Sequence, residues 1–358
     1  MSARDQDQGP AAHTARTMLA LSAKLAAGAA SLAALPRDAA AGATPYDTVW
    51  QVDRVRLQRY RGAAPRCGLP PLLIVYALVN RPYMLDLEAD RSFVRGLLEA
   101  GREVYLLDWG YPDAADSGLG LDDYLLRYLH AGVEQLCARH AVPALDLLGV
   151  CQGGTFALCY TALEPERVRR LAVMVTPVDF HAEGFLLAHW LRYVDVDRLV
   201  DTLGNVPGSM LNWAFLALKP LSLSAGKALD LLEILDDPAQ LATFARMEQW
   251  LQDSPDQAGR AFREFTDAFF RRNALLRGDL SIGGRAVALG RIDQPVLNVH
   301  ARQDHIVPPA ASRALGGLLA PGQVGELAFD GGHIGIFASR RARASVPQAV
   351  CDWFDAAR

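Results

Sequence analysis

The chain reads as an α/β protein, a mostly parallel sheet interrupted by an inserted block of helices. Three observations predict this. Short continuous apolar runs recur along the sequence, as strands buried on both faces require. Segments of helical periodicity lie between them, joined by short links. The alternation stops between about residues 180 and 285, where only helical stretches rich in tryptophan and phenylalanine occur, and then resumes.

In order, residues 1–17 are polar and read as a tail, and 18–35 are alanine-rich and helix-prone. Met18, Leu21, Leu25, Leu32 and Leu35 form a near-heptad stripe with Gly28 at the missing position. Such a helix either packs on its own domain or docks a partner; Pro36 ends it. "VDRVRLQRY" (52–60) alternates as one strand, and "LLIVYALV" (72–79) is a continuous buried strand. "SFVRGLLEAG" (92–101) is a helix closed by glycine, and "EVYLLDW" (103–109) a further strand. A helix over 122–140 precedes "LDLLGV" (145–150), and "RLAVMVTPV" (170–178) is one more strand. After the helical block come the strands "QPVLNVHA" (294–301) and "VGELAF" (324–329), then a last helix near 344–357. The resulting organisation is a tail and helix (1–40), a first core part (41–180), a helical cap (181–285) and a second core part (286–358).

With 358 residues, 51% of them hydrophobic, the chain can bury a large core. A formal charge of −4 with no basic run gives no footprint for nucleic acid. The five cysteines form no CxxC pair, which argues against a zinc site and for a reducing, cytoplasmic home. Cys67, Cys137, Cys159 and Cys351 read as small buried hydrophobes. Asp5 and Asp7 precede the alanine-rich segment and Lys24 interrupts it, unlike a secretory leader. No run is long enough to span a bilayer, so a soluble, non-secreted chain is expected.

The chemistry centres on "LLGVCQGGTF" (147–156), where Gly149 and Gly153 flank Cys151 at a strand-to-helix boundary. That is the pattern of a nucleophile elbow, with cysteine in place of serine. The glycines leave room for the sharp turn, and the following helix N-terminus favours a thiolate. The backbone N–H of Gln152 is one expected oxyanion donor. The second is expected after the third strand, at Val79 or Asn80. A triad then needs an acid and a histidine in that order. Asp304 follows the strand ending near Ala301, and His333 follows the strand ending near Phe329, so both loops can meet above the sheet. Of the eight histidines, His305 is the rival to His333 and a candidate to line the site; Asp330 is the rival to Asp304.

Sulfur has a chemical rationale. A serine would turn a thioester into an oxygen ester and dissipate its free energy, whereas a cysteine exchanges one thioester for another at nearly equal energy. The acyl group stays activated and can pass downhill to an alcohol. Cysteine therefore suits acyl transfer from a thioester to a hydroxyl, provided water is excluded. A cysteine hydrolase, a thioesterase or lactone hydrolase, shares the same triad. A non-enzymatic scaffold would leave the triad order without a reason.

These stretches, with "LIVYALVNRPYMLDL", "VYLLDWGYPD", "VTPVDFH", "RMEQWLQDSPDQAG", "PVLNVHARQDHIVPP" and "GGHIGIF", resemble the catalytic subunit of class III polyhydroxyalkanoate synthases over about residues 45–340. "SPDQAG" and "GVCQGG" favour class III over a related class. The resemblance implies an α/β-hydrolase fold with a cap, Cys151 as acylated nucleophile and His333 as base. It implies that Asp304 either orients His333 or activates the acceptor hydroxyl. It further implies an (R)-3-hydroxyacyl-CoA substrate, most simply 3-hydroxybutyryl-CoA, and a growing polyester product. No metal and no cofactor are expected, since the CoA thioester is itself substrate. The expected partners are a noncatalytic second synthase subunit and a second copy of the chain, at the surface of polyester granules in the cytoplasm.

Overall fold

The computed structural model describes residues 42–218 and 233–356, with Met18, Leu19, Lys24 and Leu231. The chain divides into two compact units, one of residues 41–218 with 250–358, the other of 1–40 with 219–249. In the smaller unit Met18, Leu19 and Lys24 are helical, as the alanine-rich segment predicts. Lys24 Nζ donates to the carbonyl of Glu233 at 3.2 Å and pairs with Asp236 Oδ1 at 3.1 Å. Leu21, Leu25, Gly28, Leu32 and Leu35 of the apolar stripe lie outside the described residues.

In the larger unit the described residues form an eight-stranded sheet in the order β1-β2-β4-β3-β5-β6-β9-β10. Its strands are β1 (Tyr46–Val52), β2 (Val55–Tyr60), β3 (Leu72–Val75), β4 (Val104–Asp108), β5 (Leu145–Val150), β6 (Val168–Met174), β9 (Val296–Ala301) and β10 (Val324–Phe329). β1 and β2 pair antiparallel, as do β2 and β4, and the remaining neighbours are parallel. All residues of β3, β4, β5 and β9 are buried, which is why they read as uninterrupted apolar runs. The mostly parallel sheet predicted from the sequence is present.

Two strands differ from expectation. "VDRVRLQRY" is not one strand but the junction of a hairpin, because Asp53 turns the chain with φ 51° and Val52 pairs with Val55. The apolar run 72–79 stops as a strand at Val75. A Cβ on Gly153 would sit 2.2 Å from the Val75 carbonyl, so the elbow packs directly against the place where β3 gives way to a loop. Cys67 is exposed rather than buried, whereas Cys137, Cys159 and Cys351 are buried as expected.

The helices α1 (Phe93–Glu99), α2 (His130–His140) and α3 (Gln152–Leu163) connect the first parallel strands. The block after β6 contributes α4 (Leu186–Leu191), α5 (Val196–Leu203), α6 (Gly208–Ala217), α7 (Pro238–Gln252) and α8 (Gly259–Phe265). A two-residue hairpin, β7 (Ser281–Ile282) with β8 (Arg285–Ala286), follows it. The base of this block is aromatic. Phe265 stacks on Phe269 at 4.4 Å, Phe180 meets Phe270 at 5.1 Å, and Phe265 meets Phe156 of α3 at 5.9 Å. These rings belong to the same buried cluster as the sheet. The motif "VTPVDFH" ties down that base: Asn273 Nδ2 donates to Asp179 Oδ1 at 2.8 Å, and the Phe180 N–H donates to Asn273 Oδ1 at 3.0 Å. No helix among the described residues is long and apolar enough to cross a membrane.

The tight elbow packing makes a stability prediction. A Cβ on Gly154 would lie 1.8 Å from Thr176 Oγ1, whereas one on Gly118 or Gly290 would meet open space. Gly153→Ala should destabilise by about 1–3 kcal/mol or more through overpacking, and Gly290→Ala should be near neutral. Urea denaturation of the two variants measures the difference.

Candidate active site

Cys151 sits between β5 and α3 with φ 55° and ψ −125°, a conformation that L-residues rarely adopt. Backbone bonds hold it there: its N–H donates to the Met174 carbonyl at 2.9 Å, and its own carbonyl accepts from the Gly154 N–H at 2.9 Å. Only glycine fits the positions around it, since a Cβ on Gly149 would lie 2.4 Å from the Gly154 Cα. The thiol is half-buried against the main apolar cluster. The Gly154 and Thr155 N–H groups donate to the Cys151 carbonyl at 2.9 and 3.4 Å, so those of Gln152 and Gly153 precede the first bond of α3.

The acid and the histidine come from the loops after β9 and β10. The parallel pairing of those strands continues past their ends, with the Arg302 N–H on the Phe329 carbonyl at 2.8 Å and the Gln303 N–H on the Gly331 carbonyl at 2.9 Å. This brings Asp304 against His333, whose Nδ1 donates to Asp304 Oδ2 at 2.7 Å. Asp304 Oδ1 accepts from the N–H groups of Ile306 and Val307, each at 2.9 Å. Both side chains of the pair are buried. A carboxylate can only accept, so Nδ1 carries a proton and Nε2 is left for the sulfur. Burial opposes the charged imidazolium. Charge and hydrogen bonds from the Asp304 carboxylate and from Cys151 outweigh it and push His333 up to about 10.

Of the two rivals, Asp330 is turned to solvent and His305 adjoins the pair. Asp330 is exposed and accepts from Gln303 Nε2 at 3.0 Å. His305 is half-buried beside Asp304, while Asp304 itself is joined to His333. His300 lies within β9 and pairs with Glu326 at 3.0 Å. Of the glycines flanking His333, Gly335 faces open space, so no close approach requires it.

The loop after β3 carries the remaining features. Gln152 Oε1 accepts from the Leu78 N–H at 3.0 Å, so the residue touching position 152 is Leu78, with Val79 and Asn80 next in the chain. Asn80 has φ 56° and a buried Nδ2 with no partner among the described residues. The sequence reading missed Tyr76. Its phenol is buried, and burial, with a smaller contribution from charge at Cys151, pushes its pKa well up. Its position one residue past the end of β3 is the signal that could have marked it. Among the described residues no cluster of His, Cys, Asp and Glu could hold a metal ion.

This geometry can be set beside known proteins. A family model described as the alpha/beta hydrolase fold matches residues 70–339. The chain is 48% identical over 345 residues to the poly(3-hydroxyalkanoate) polymerase subunit PhaC of Thiocystis violacea, covering 95% of this chain and 96% of that one. The chain belongs to the PhaC family. It is also 51% identical over 316 residues to PhaC of Allochromatium vinosum, covering 88% and 89% of the two chains. Among solved structures it is similar to Rv0554 from Mycobacterium tuberculosis, with a TM-score of 0.53, 16% identity, and coverage of 88% of this chain and 99% of that one. That likeness supports the α/β-hydrolase fold alone. Family and fold thus agree with the resemblance drawn from the motifs.

The buried PhaC-family pair carries a pH signature. His333 keeps its proton up to about 10 in the folded protein, against an ordinary value of 6.5. Its stabilisation is therefore fully present below about pH 6.5 and lost as pH rises toward 10. The urea midpoint of the wild type should fall over that window more steeply than that of Asp304→Asn, which removes the main charge raising the pKa. Parallel curves would contradict the pairing.

Proposed function

We propose that the chain polymerises (R)-3-hydroxyacyl groups, 3-hydroxybutyryl among them, from their coenzyme A thioesters into a polyester with release of CoA. The observation that carries this reading is a cysteine held at a strained strand-to-helix elbow, in a PhaC-family chain that also holds a buried His–Asp pair. The names of the PhaC relatives, which are poly(3-hydroxyalkanoate) polymerase subunits, support it.

In the proposed cycle His333 holds the proton given up by Cys151, and the sulfur attacks the thioester carbonyl. The oxyanion is held by the Gln152 N–H and a second N–H from the Val79–Asn80 stretch. The tetrahedral intermediate collapses, the CoA sulfur leaves with the proton from His333, and an acyl-cysteine remains. The hydroxyl of a growing chain or second monomer then attacks that carbonyl. His333 takes its proton and the Cys151 sulfur departs, so one ester bond forms for each thioester consumed. Asp304 fixes the Nδ1–H tautomer and balances the imidazolium throughout. The cycle balances with the thioester as substrate and no added cofactor.

A noncatalytic second subunit is the proposed partner, in keeping with the relatives being called subunits. A second copy of the chain is proposed as well. The product is an insoluble polyester, so the working location is the surface of its granules in the cytoplasm.

The test is incubation with (R)-3-hydroxybutyryl-CoA, with and without a candidate partner subunit, following CoA release and turbidity together. Cys151→Ala should abolish both, and Cys151→Ser should keep the fold but lose most activity. CoA release with free hydroxy acid and no turbidity would establish a hydrolase instead. Full polymerisation by Cys151→Ala would remove the nucleophile assignment.

A further inference from the structure

Two glutamines stand in the two motifs that set this chain's resemblance apart, Gln152 in "GVCQGG" and Gln257 in "SPDQAG". They lie 105 residues apart in sequence, and the structure brings both side chains onto one residue. Gln152 Oε1 accepts from the Leu78 N–H at 3.0 Å, and Gln257 Nε2 donates to the Leu78 carbonyl at 3.0 Å.

Gln257 is itself immobilised. It is buried at 4% exposure, too enclosed for a casual surface contact. Its backbone pairs with Val206, N–H to carbonyl in both directions at 2.8 and 2.9 Å. The turn around it is packed to contact, since a Cβ on Gly208 would lie 2.0 Å from the Ser254 carbonyl and one on Gly259 would lie 1.9 Å from that of Gly204. Further along the same loop, Trp250 Nε1 donates to the Arg81 carbonyl at 2.7 Å, and at its start Trp109 Nε1 donates to the Tyr76 carbonyl at 2.9 Å.

The consequence follows from peptide planarity. The Leu78 carbonyl and the Val79 N–H belong to one trans peptide and point in opposite directions. A donor that fixes the carbonyl therefore fixes where the Val79 N–H aims. The preceding N–H, that of Leu78, is already occupied by Gln152. We infer that Gln152 and Gln257 act as a two-sided clamp on Leu78, which withholds the Leu78 N–H and presents the Val79 N–H as the second oxyanion donor. Both glutamine side chains are positioning residues that act through the backbone. The inference rests on the acyl-cysteine reading above.

The test separates oxyanion stabilisation from the nucleophile itself. Alkylation of Cys151 by iodoacetamide is a displacement at carbon and forms no oxyanion, whereas attack on (R)-3-hydroxybutyryl-CoA forms one. Gln257→Leu and its same-sized partner Gln257→Glu, which lacks the donor, should each lower kcat for CoA release by about 10- to 100-fold, as misplacement of one oxyanion donor does. KM and the alkylation rate should stay near the wild-type values. Gln152→Met combined with Gln257→Leu should be no slower than the slower single variant, because both act on one peptide. Alkylation slowed in step with CoA release would mean a general structural defect and overturn the clamp, as would unchanged kcat in Gln257→Glu or additive losses in the double variant. If the wild type yields free hydroxy acid instead of polymer, the polymerase reading fails while the clamp is still judged by CoA release.

Discussion

The site depends on a steric constraint: one L-residue is held at φ 55° between a buried strand and a buried helix. A backbone in such a region costs about 1–3 kcal/mol and persists only where its surroundings over-determine it. Here the surroundings are three glycines whose missing side chains let β3, β5, α3 and the segment just after β6 converge. Gly149 closes on Gly154, Gly153 on the Val75 carbonyl, and Gly154 on Thr176. The convergence fixes the sulfur at the carboxyl edge of the sheet, where ligands meet open α/β folds. It also sets where β3 must stop, and so where the loop after it begins.

The partners of the sulfur inherit that position through the sheet. β9 and β10 pair in parallel, and two backbone bonds beyond their ends keep the loops side by side. Asp304 is then locked within its own turn by two N–H groups, which leaves one carboxylate oxygen for His333. A buried imidazole with a single acceptor on Nδ1 has one tautomer and one orientation. The charge that matters is thus assembled from short local contacts on a rigid frame, and low polarity around it strengthens each interaction. The same dryness suits sulfur chemistry, because an acyl-cysteine survives only where water is excluded.

Much of this was legible in the sequence, for identifiable reasons. The elbow shows as glycine spacing around Cys151, and Asp304 and His333 show as residues just past buried strands; both are local signals. The hairpin of β1 and β2 was not legible, because Asp53-Arg54 is not a strong turn pair and the flanking residues alternate through it. The end of β3 was hidden too, since Tyr76-Ala77-Leu78-Val79 is as apolar as the strand and is set apart only by its contact with the elbow. Cys67 was misread because burial was inferred from residue type alone. The links of Gln152 and Gln257 to Leu78 join distant segments and leave no periodicity to detect.

The helical block bears on the chemistry through its base. Phe180, Phe265, Phe269 and Phe270 share one apolar cluster with the sheet, and Phe265 reaches Phe156 on the helix that follows Cys151. Swinging that base away would expose several aromatic side chains, at about 1.5–3 kcal/mol each. It would also break the Gln257 and Trp250 bonds to the loop after β3. Segments 180–206 and 254–271 therefore act as a fixed wall rather than a hinged lid. An enzyme that must hold an activated acyl group between two chemical steps gains from such a wall, because packed aromatic rings keep water away. Any opening that admits substrate must then leave this wall in place.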